Sequence, residues 1–426
     1  MSMGFHTFTI FKKITYDEAR LLYRDFEKYE AVKIYPIDKY EEYSDISSFD
    51  KWLHSSSSQS CAINYYDRHK GISWILRFSK TALGYNGDSK ATARTCSIKA
   101  RINPKIFAGI KDYITVADEG LLGAVEVAFN LEACKISQIL GEFDSYDLNR
   151  IDYCINFDLK ELDINCTPEQ MMKLIKRSNI PNTFTEWTAY DEKSHRKVTG
   201  KNSFYLKNNS VNINCYHKHY QLQREFSDCP DMENALDVIR FEIQCKYLKV
   251  YNMAQIIKNK SRHFTLLNEM LSDEVSRDII SRYFDKVVLR GDYYTIEKAR
   301  RIIQSHNFSR KKEQRIIDYL ELINGLRGIA RAKATFQGQA AEDFRRTLRE
   351  LADININPVT IPKEWAIKGS RIHNLLDAYY RNLENEQSKD RLEKAGIEMV
   401  DEYLTDTVGK LHTLMDTAVS SRLLNN

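Results

Sequence analysis

The chain is expected to be an α+β protein: an N-terminal antiparallel-sheet half with flanking helices over residues 1–250, then a mostly α-helical part over 251–426. Up to about Val250, short stretches with apolar residues at every second position recur between amphipathic segments, the period of half-buried strands. Beyond it the period is helical. At 426 residues the chain is also too long for one core of ordinary size.

In chain order, "FHTFTIF" reads as a strand, Tyr16 to Tyr29 as an amphipathic helix and "AVKIYPI" as a second strand, before a Ser-rich loop with a short helix, "DISSFDKWLHSSSSQS". "GISWILRFSK" and "ARTCSIKARINP", separated by the turn residues of "LGYNGDSK", predict a β-hairpin. Glu119 to Ile139 is helical in pattern. Three strand patterns follow, "NRIDYCINFDL", "KNSFYLKNNSVNINCYHKHYQ" and "DVIRFEIQCKYLK", with a helix start at Thr167 and Gln170 after the first. In the second half, "TIEKARRIIQSHNFSRKKEQRIIDYLELINGL" reads as two helices broken near Asn307 to Ser309, and "AAEDFRRTLRELADI" and "SRIHNLLDAYYRNLENEQ" continue the helical period. No repeat recurs at a fixed period.

Composition narrows the function classes. With 29% charged and 42% apolar residues the chain is of the folding kind. A formal charge of +4 announces no nucleic-acid partner, so such a surface has to come from local segregation of charge. The 25 tyrosines are open to two readings, base-stacking platforms or codon bias. Eight scattered cysteines without a C-x-x-C pair, no export signal in "MSMGFHTFTIFKK" and no 18-residue apolar window set the expectation of a cytoplasmic protein with no membrane partner.

Alternate residues of a strand share a face. In the first key strand Ile151, Tyr153, Ile155, Phe157 and Leu159 oppose Arg150, Asp152, Cys154, Asn156 and Asp158; in the third, Phe241, Ile243, Cys245 and Tyr247 oppose Arg240, Glu242, Gln244 and Lys246. The same parity puts Tyr216, Lys218 and Tyr220 opposite Val211, Ile213 and Cys215, and His217 and His219 with the apolar set. If the strands are neighbours, Asp152, Glu242, Tyr216 and Lys218 share one face. Two acids within reach of each other can hold Mg²⁺ or Mn²⁺ through oxygen, and such an ion offsets the charge that builds on a reacting phosphodiester. A phenol, with a free pKa of roughly 10, needs a cation or a lysine beside it to act as a nucleophile. Arg150 and Arg240 would orient the acids or grip phosphates. The competing reading is a sheet with one solvated face, for which polar alternation is ordinary.

At "RIDYCINFDL", "SFYLKNNSVNINCYHKHYQ" and "IRFEIQCKY", in that order, the chain resembles the rolling-circle replication initiators of plasmids and phages, the II/X type and the related Rep-trans plasmid initiators. "LADININPVTIP" is similar to a late segment of the phage-type proteins, whereas residues 1–149 match only weakly. The resemblance implies a site-specific DNA nicking and closing enzyme. Tyr216 falls on its "Y-x-K" tyrosine, which forms a 5′-phosphotyrosine and frees a 3′-hydroxyl; Asp152 and Glu242 fall on acids implied as metal ligands. The hydrophobic-flanked His-x-His pair of the wider endonuclease class is absent in that form. Implied partners are origin duplex or hairpin DNA and the single strand, with host helicase and polymerase and a second copy of the chain open as further ones. Duplex contacts are expected from a helix-turn-helix-like pair carrying Arg300, Arg301, Lys311, Lys312 and Arg315, with Lys246 beside the site as a further DNA contact. A DNA-binding initiator or regulator that does not cut, and a mobilisation relaxase, remain alternatives.

Overall fold

The computed structural model describes residues 3–28, 32–36, 60–67, 70–82, 92–191, 196–198, 200, 202–225, 229–260, 266–365 and 367–387. The chain divides by compactness into Met1–Ile372, which holds the sheet, and His373–Asn426. The Ser-rich loop lies outside the described residues, apart from its last one, Ser60.

The first unit is α+β, with an antiparallel sheet followed by helices. The strands are β1 (Met3–Ile14), β2 (Val32–Pro36), β3 (Ser60–Asp67), β4 (Ile72–Ala82), β5 (Thr92–Ile102), β6 (Asp147–Asp158), β7 (Thr185–Glu186), β8 (Ala189–Asp191), β9 (Arg196–Val198), β10 (Ser203–Lys207), β11 (Val211–His217) and β12 (Val238–Cys245). All but β8 and β9 form one ten-stranded sheet in the order β2-β3-β4-β5-β1-β6-β12-β11-β10-β7, and β8 and β9 pair separately. The expected hairpin is β4–β5, paired from Ile72↔Ile102 to Ala82↔Thr92.

That order is one arrangement used twice. A central strand, β1 or β6, runs into a helix, α1 (Tyr16–Glu27) or, farther on, Pro168–Ile175; the chain then goes to the sheet margin and returns until its last strand, β5 or β12, pairs with the central one. Both helices start in a capping box: Thr15 with Glu18, and Thr167 with Gln170, whose side chains each accept from the other residue's backbone N–H. No period betrays this in the sequence, because the two halves differ in the lengths of their connections and, among the described residues, only the second carries the β8–β9 hairpin.

Further α-helices among the described residues of this unit are α2 (Pro104–Phe107), α3 (Leu122–Ile136), α4 (Pro168–Ile175), α5 (Lys218–Glu225), α6 (Tyr247–Lys260), α7 (Leu266–Met270), α8 (Asp273–Val287), α9 (Ile296–Ser305), α10 (Arg310–Gly325), α11 (Ile329–Lys333) and α12 (Gly338–Asp353). α1, α3, α4 and α8 cover the apolar sheet face. Trp74 packs, with its ring tilted, 6.5 Å from Phe26 of α1 and 5.2 Å from Phe129 of α3. Cys215 Sγ sits 3.9 Å from Met172 Sδ of α4, and Phe157 and Phe241 meet Phe284 of α8 at 5.6 and 5.2 Å. Buried aromatic and branched side chains of this kind supply most of the stabilising area.

The helical end has its own core, in which Ala299 and Ile303 of α9 pack with Ile316, Ile317 and Leu320 of α10 and Leu351 of α12. The break between α9 and α10 falls at residues 306–309 as expected, with Asn307 at φ +50° and Ser309 capping α10 through the Lys312 N–H. A small paired strand, β13 (Tyr293–Tyr294) with β14 (Arg371–Ile372), closes this region.

Candidate functional site

The polar face of the second half is where sequence parity and structure meet. β12 lies between β6 and β11, with Gln244↔Asp152, Glu242↔Cys154 and Arg240↔Asn156 on one side and Gln244↔Asn212, Glu242↔Asn214 and Arg240↔Tyr216 on the other. Residues directly opposite share a face, so these pairs form rows across the sheet. Asp152 stands in the first row, Glu242 in the second and Tyr216 in the third, on one diagonal.

Much of this face is covered, although Arg150, Asn212, Asn214 and Gln244 are only half-buried. Asp152 is 2% exposed, Arg240 0%, Glu242 8% and Tyr216 9%. The cover comes from residues 112–117 and from α5, neither of which a strand pattern reveals. The 112–117 segment docks on β1 through Phe5 N–H to Ala117 O at 2.9 Å and Ala117 N–H to Phe5 O at 3.0 Å. It fits because Gly4 has no side chain: a Cβ there would stand 1.9 Å from Ala117 O. Ile114 O then accepts from Arg240 Nη2 at 2.7 Å and from Asn156 Nδ2, while Arg240 Nε donates to Asn156 Oδ1 at 2.7 Å.

A pocket of about 470 Å³ opens over the diagonal and is lined by Asp152, Glu242 and Tyr216, with Arg150, Arg101 and His6 beside them and Tyr205 and Tyr220 at its walls. Arg150 grips Asp152 with both ends of its fork, Nε to Oδ1 at 2.8 Å and Nη2 to Oδ2 at 2.5 Å. Glu242 accepts from Asn214 Nδ2 at 3.2 Å and from the Tyr216 hydroxyl at 3.3 Å. Burial, then the nearby Asp152 charge, raises the Glu242 carboxyl above the usual carboxylate range; burial likewise raises Asp152 against the pull of Arg150. Burial and the neighbouring Glu242 push the Tyr216 phenol well above its ordinary value.

Two acids held together against burial and mutual repulsion are a donor set suited to one hard divalent ion, since each carboxylate keeps lone pairs beyond those its recorded donors use. Asp152 and Glu242 would hold it, water completing the shell. Among the described residues no three His, Cys, Asp or Glu side chains gather as ligands.

His6, Thr7 and Arg101 come from the first half of the sheet, which sequence parity did not connect with the site. His6 is the extra residue where the β1–β6 register shifts between Phe5↔Tyr153 and Thr7↔Asp152. Burial, with the charges of Arg240, Lys218, Arg101 and Arg150 around it, holds its imidazole well below the ordinary range. A lone histidine in a strand pattern gives no sign of this.

Several expectations are corrected. Lys218 does not continue the strand face of Tyr216: β11 ends at His217, and Lys218 opens α5, is buried, and donates to Gln221 Oε1 at 2.7 Å in an adjoining small pocket. Parity cannot be carried past a strand's end. Arg240 cannot grip a DNA backbone, because it is fully buried and its fork serves Asn156 and Ile114. Lys246 lies off the pocket and donates to Asn208 O at 2.8 Å. In the helical pair, Arg315 is spent on α12, with Nη2 3.0 and 2.8 Å from the Glu350 carboxylate and Nη1 2.9 Å from Thr347 Oγ1. Lys312 lies over the Phe308 ring at 4.1 Å and 3.7 Å from Glu350. Arg300 pairs with Glu321 at the surface, while Arg301 and Lys311 are exposed with no ion pair among the described residues.

The acids give a prediction that needs no substrate. A carboxyl raised in the folded state destabilises it once ionised, so the cost is absent below its unfolded value and grows as pH rises toward its folded one. Glu242→Gln removes that cost. The variant is expected to melt above the parent at neutral pH, with the difference vanishing as pH falls below about 4. Thermal unfolding at both pH values checks it, and equal melting at pH 7 would show that Glu242 carries no such cost.

No family model matches this chain, and no curated protein matches it. Among solved structures it is similar to a rolling-circle replication initiator protein from Geobacillus stearothermophilus, at 9% identity and a TM-score of 0.28, over 85% of this chain and 99% of that one. No helix among the described residues is long and apolar enough to cross a membrane.

Proposed function

We propose that this chain initiates rolling-circle replication by nicking and rejoining one DNA strand through Tyr216. The observation that carries the reading is the burial of a phenol, two acids and an arginine on a face that an ordinary half-solvated sheet would leave to water. Burying such groups is costly, and they are kept where a site uses them.

In this reading Arg150 and Arg101 hold the scissile phosphate as charge-assisted donors at the pocket wall. Glu242 takes the Tyr216 proton, and the phenolic oxygen attacks phosphorus. The new bond is Tyr216 O–P; the P–O3′ bond breaks, and the 3′-oxygen leaves as a hydroxyl with a proton from solvent, to which Glu242 gives up the one it took, so no net proton is gained or lost. Rejoining is the reverse, so the bond energy is kept and no nucleotide hydrolysis is needed. Asp152 and Glu242 would hold Mg²⁺ or Mn²⁺, which would offset the negative charge that builds on the phosphate oxygens. Arg301 and Lys311 on the α9–α10 pair are the exposed groups for duplex contact.

The test is incubation of the full chain with supercoiled plasmid carrying its own origin and Mg²⁺ or Mn²⁺. Relaxed circles with protein attached at a 5′ end support the reading. Origin binding without relaxation would favour an initiator that does not cut.

A further inference from the structure

A second pocket, of about 870 Å³, lies on the same sheet face in the first half, where the repeated arrangement puts the counterpart of the site. β5 stands there as β12 stands in the second half. It presents Lys99 and Arg101 on the face where β12 presents Glu242 and Arg240, and β4 adds Arg77 where β11 has its tyrosine-bearing face. The first half thus carries bases on the face that in the second half also carries the acids Asp152 and Glu242.

The two pockets adjoin. The row Arg101–Thr9–Arg150 borders the candidate site, and the next row, Lys99–Phe11–Asp147, lies in the second pocket, two residues or about 7 Å along the strands. The far wall is α6, whose Tyr247 and Tyr251 are each 50% exposed. Phe11 and Tyr247 meet edge to face at 6.2 Å, and Tyr247 and Tyr251 are also 6.2 Å apart. Arg77 Nε is buried with no hydrogen-bond partner among the described residues, and burial, with Arg77 beside it, lowers the Lys99 amine below its usual value. A lining with three bases, Lys13, Arg77 and Lys99, against one acid, Asp147, under exposed aromatic rings matches a ligand with alternating phosphates and flat bases.

We infer that this trough binds single-stranded nucleic acid, with Tyr247 and Tyr251 stacking bases while Lys99 and Arg77 hold phosphates, and that it seats the strand flanking the scissile phosphate. The last clause rests on the proposed nicking function; the binding does not. A duplex has its bases stacked inside and cannot offer them to these rings.

The experiment uses the full chain carrying Tyr216→Phe, in EDTA, with a fluorescein-labelled 12-nucleotide single strand, so that no chemistry intervenes. Tyr247→Ala with Tyr251→Ala is expected to weaken binding at least tenfold, since one stacked base is worth a factor of about 5 to 150. The Phe pair should restore affinity, which a merely structural role of the hydroxyls would not. Lys99→Gln should lower the slope of log affinity on log salt by about 0.7. Affinity within twofold of the parent in the Ala pair, or equal competition by a duplex of the same length, overturns the inference. Relaxation of origin plasmid by the Tyr216 chain is scored separately: relaxation with tyrosine-independent binding sinks the trough and leaves the nicking function, and tyrosine-dependent binding without relaxation does the reverse.

Discussion

Tyr216→Phe is expected to lower origin nicking at least ~10³-fold and to abolish the protein–DNA adduct, with little change in stability. The ring is kept, and with it the packing against its neighbours. What is lost is the oxygen that would bond to phosphorus and one hydrogen bond to Glu242 at 3.3 Å, worth about 1 kcal/mol or less. The parent's nicking should rise with pH, because Glu242 must be ionised to take the proton and burial beside Asp152 raises its carboxyl. Plasmid relaxation and urea unfolding, measured on the same preparations, separate the two effects. Unimpaired nicking would pass the role to Tyr205 or Tyr220, which line the same pocket.

Arg240→Leu is expected to cost about 3–5 kcal/mol of folding stability, the larger effect on the fold. The arginine is fully buried among Tyr216, Asn156 and the covering segment at Ile114. Without it Asn156 Oδ1 loses its donor, the 112–117 segment loses a tie to the sheet, and the acids of the site lose a compensating charge. Arg240→Lys keeps the charge but not the fork, so it should fall between the two. Urea midpoints of the three proteins give the comparison, and a loss below about 1 kcal/mol for the leucine variant would mean that the network is not what holds the cover in place.

How much of the site was legible can be followed residue by residue. Asp152, Glu242 and Tyr216 could be put on one face because side-chain direction alternates strictly within a strand, and three clean alternations each allow only one parity. Thr167 with Gln170, and the break before Ser309, were legible for a similar local reason: a capping box and a helix break are settled within a few residues. Lys218 was misread because the same alternation stops at an end that no neighbouring residue marks. His6 was invisible because a register shift is a property of two strands, and its partner lies about 145 residues away.

The amino-acid sequence by itself determined the change from strands to helices near residue 250, the parity of each central strand and the starts of two helices, because these depend on contacts within a turn or a strand. Only the tertiary structure decided that β12 lies between β6 and β11, that much of the polar face is covered, that Arg240 and Lys218 are buried, and that the first half repeats the strand order of the second. Those outcomes depend on which distant segments meet. Pairing order and burial are set by the whole packed chain, and a local period carries no record of them.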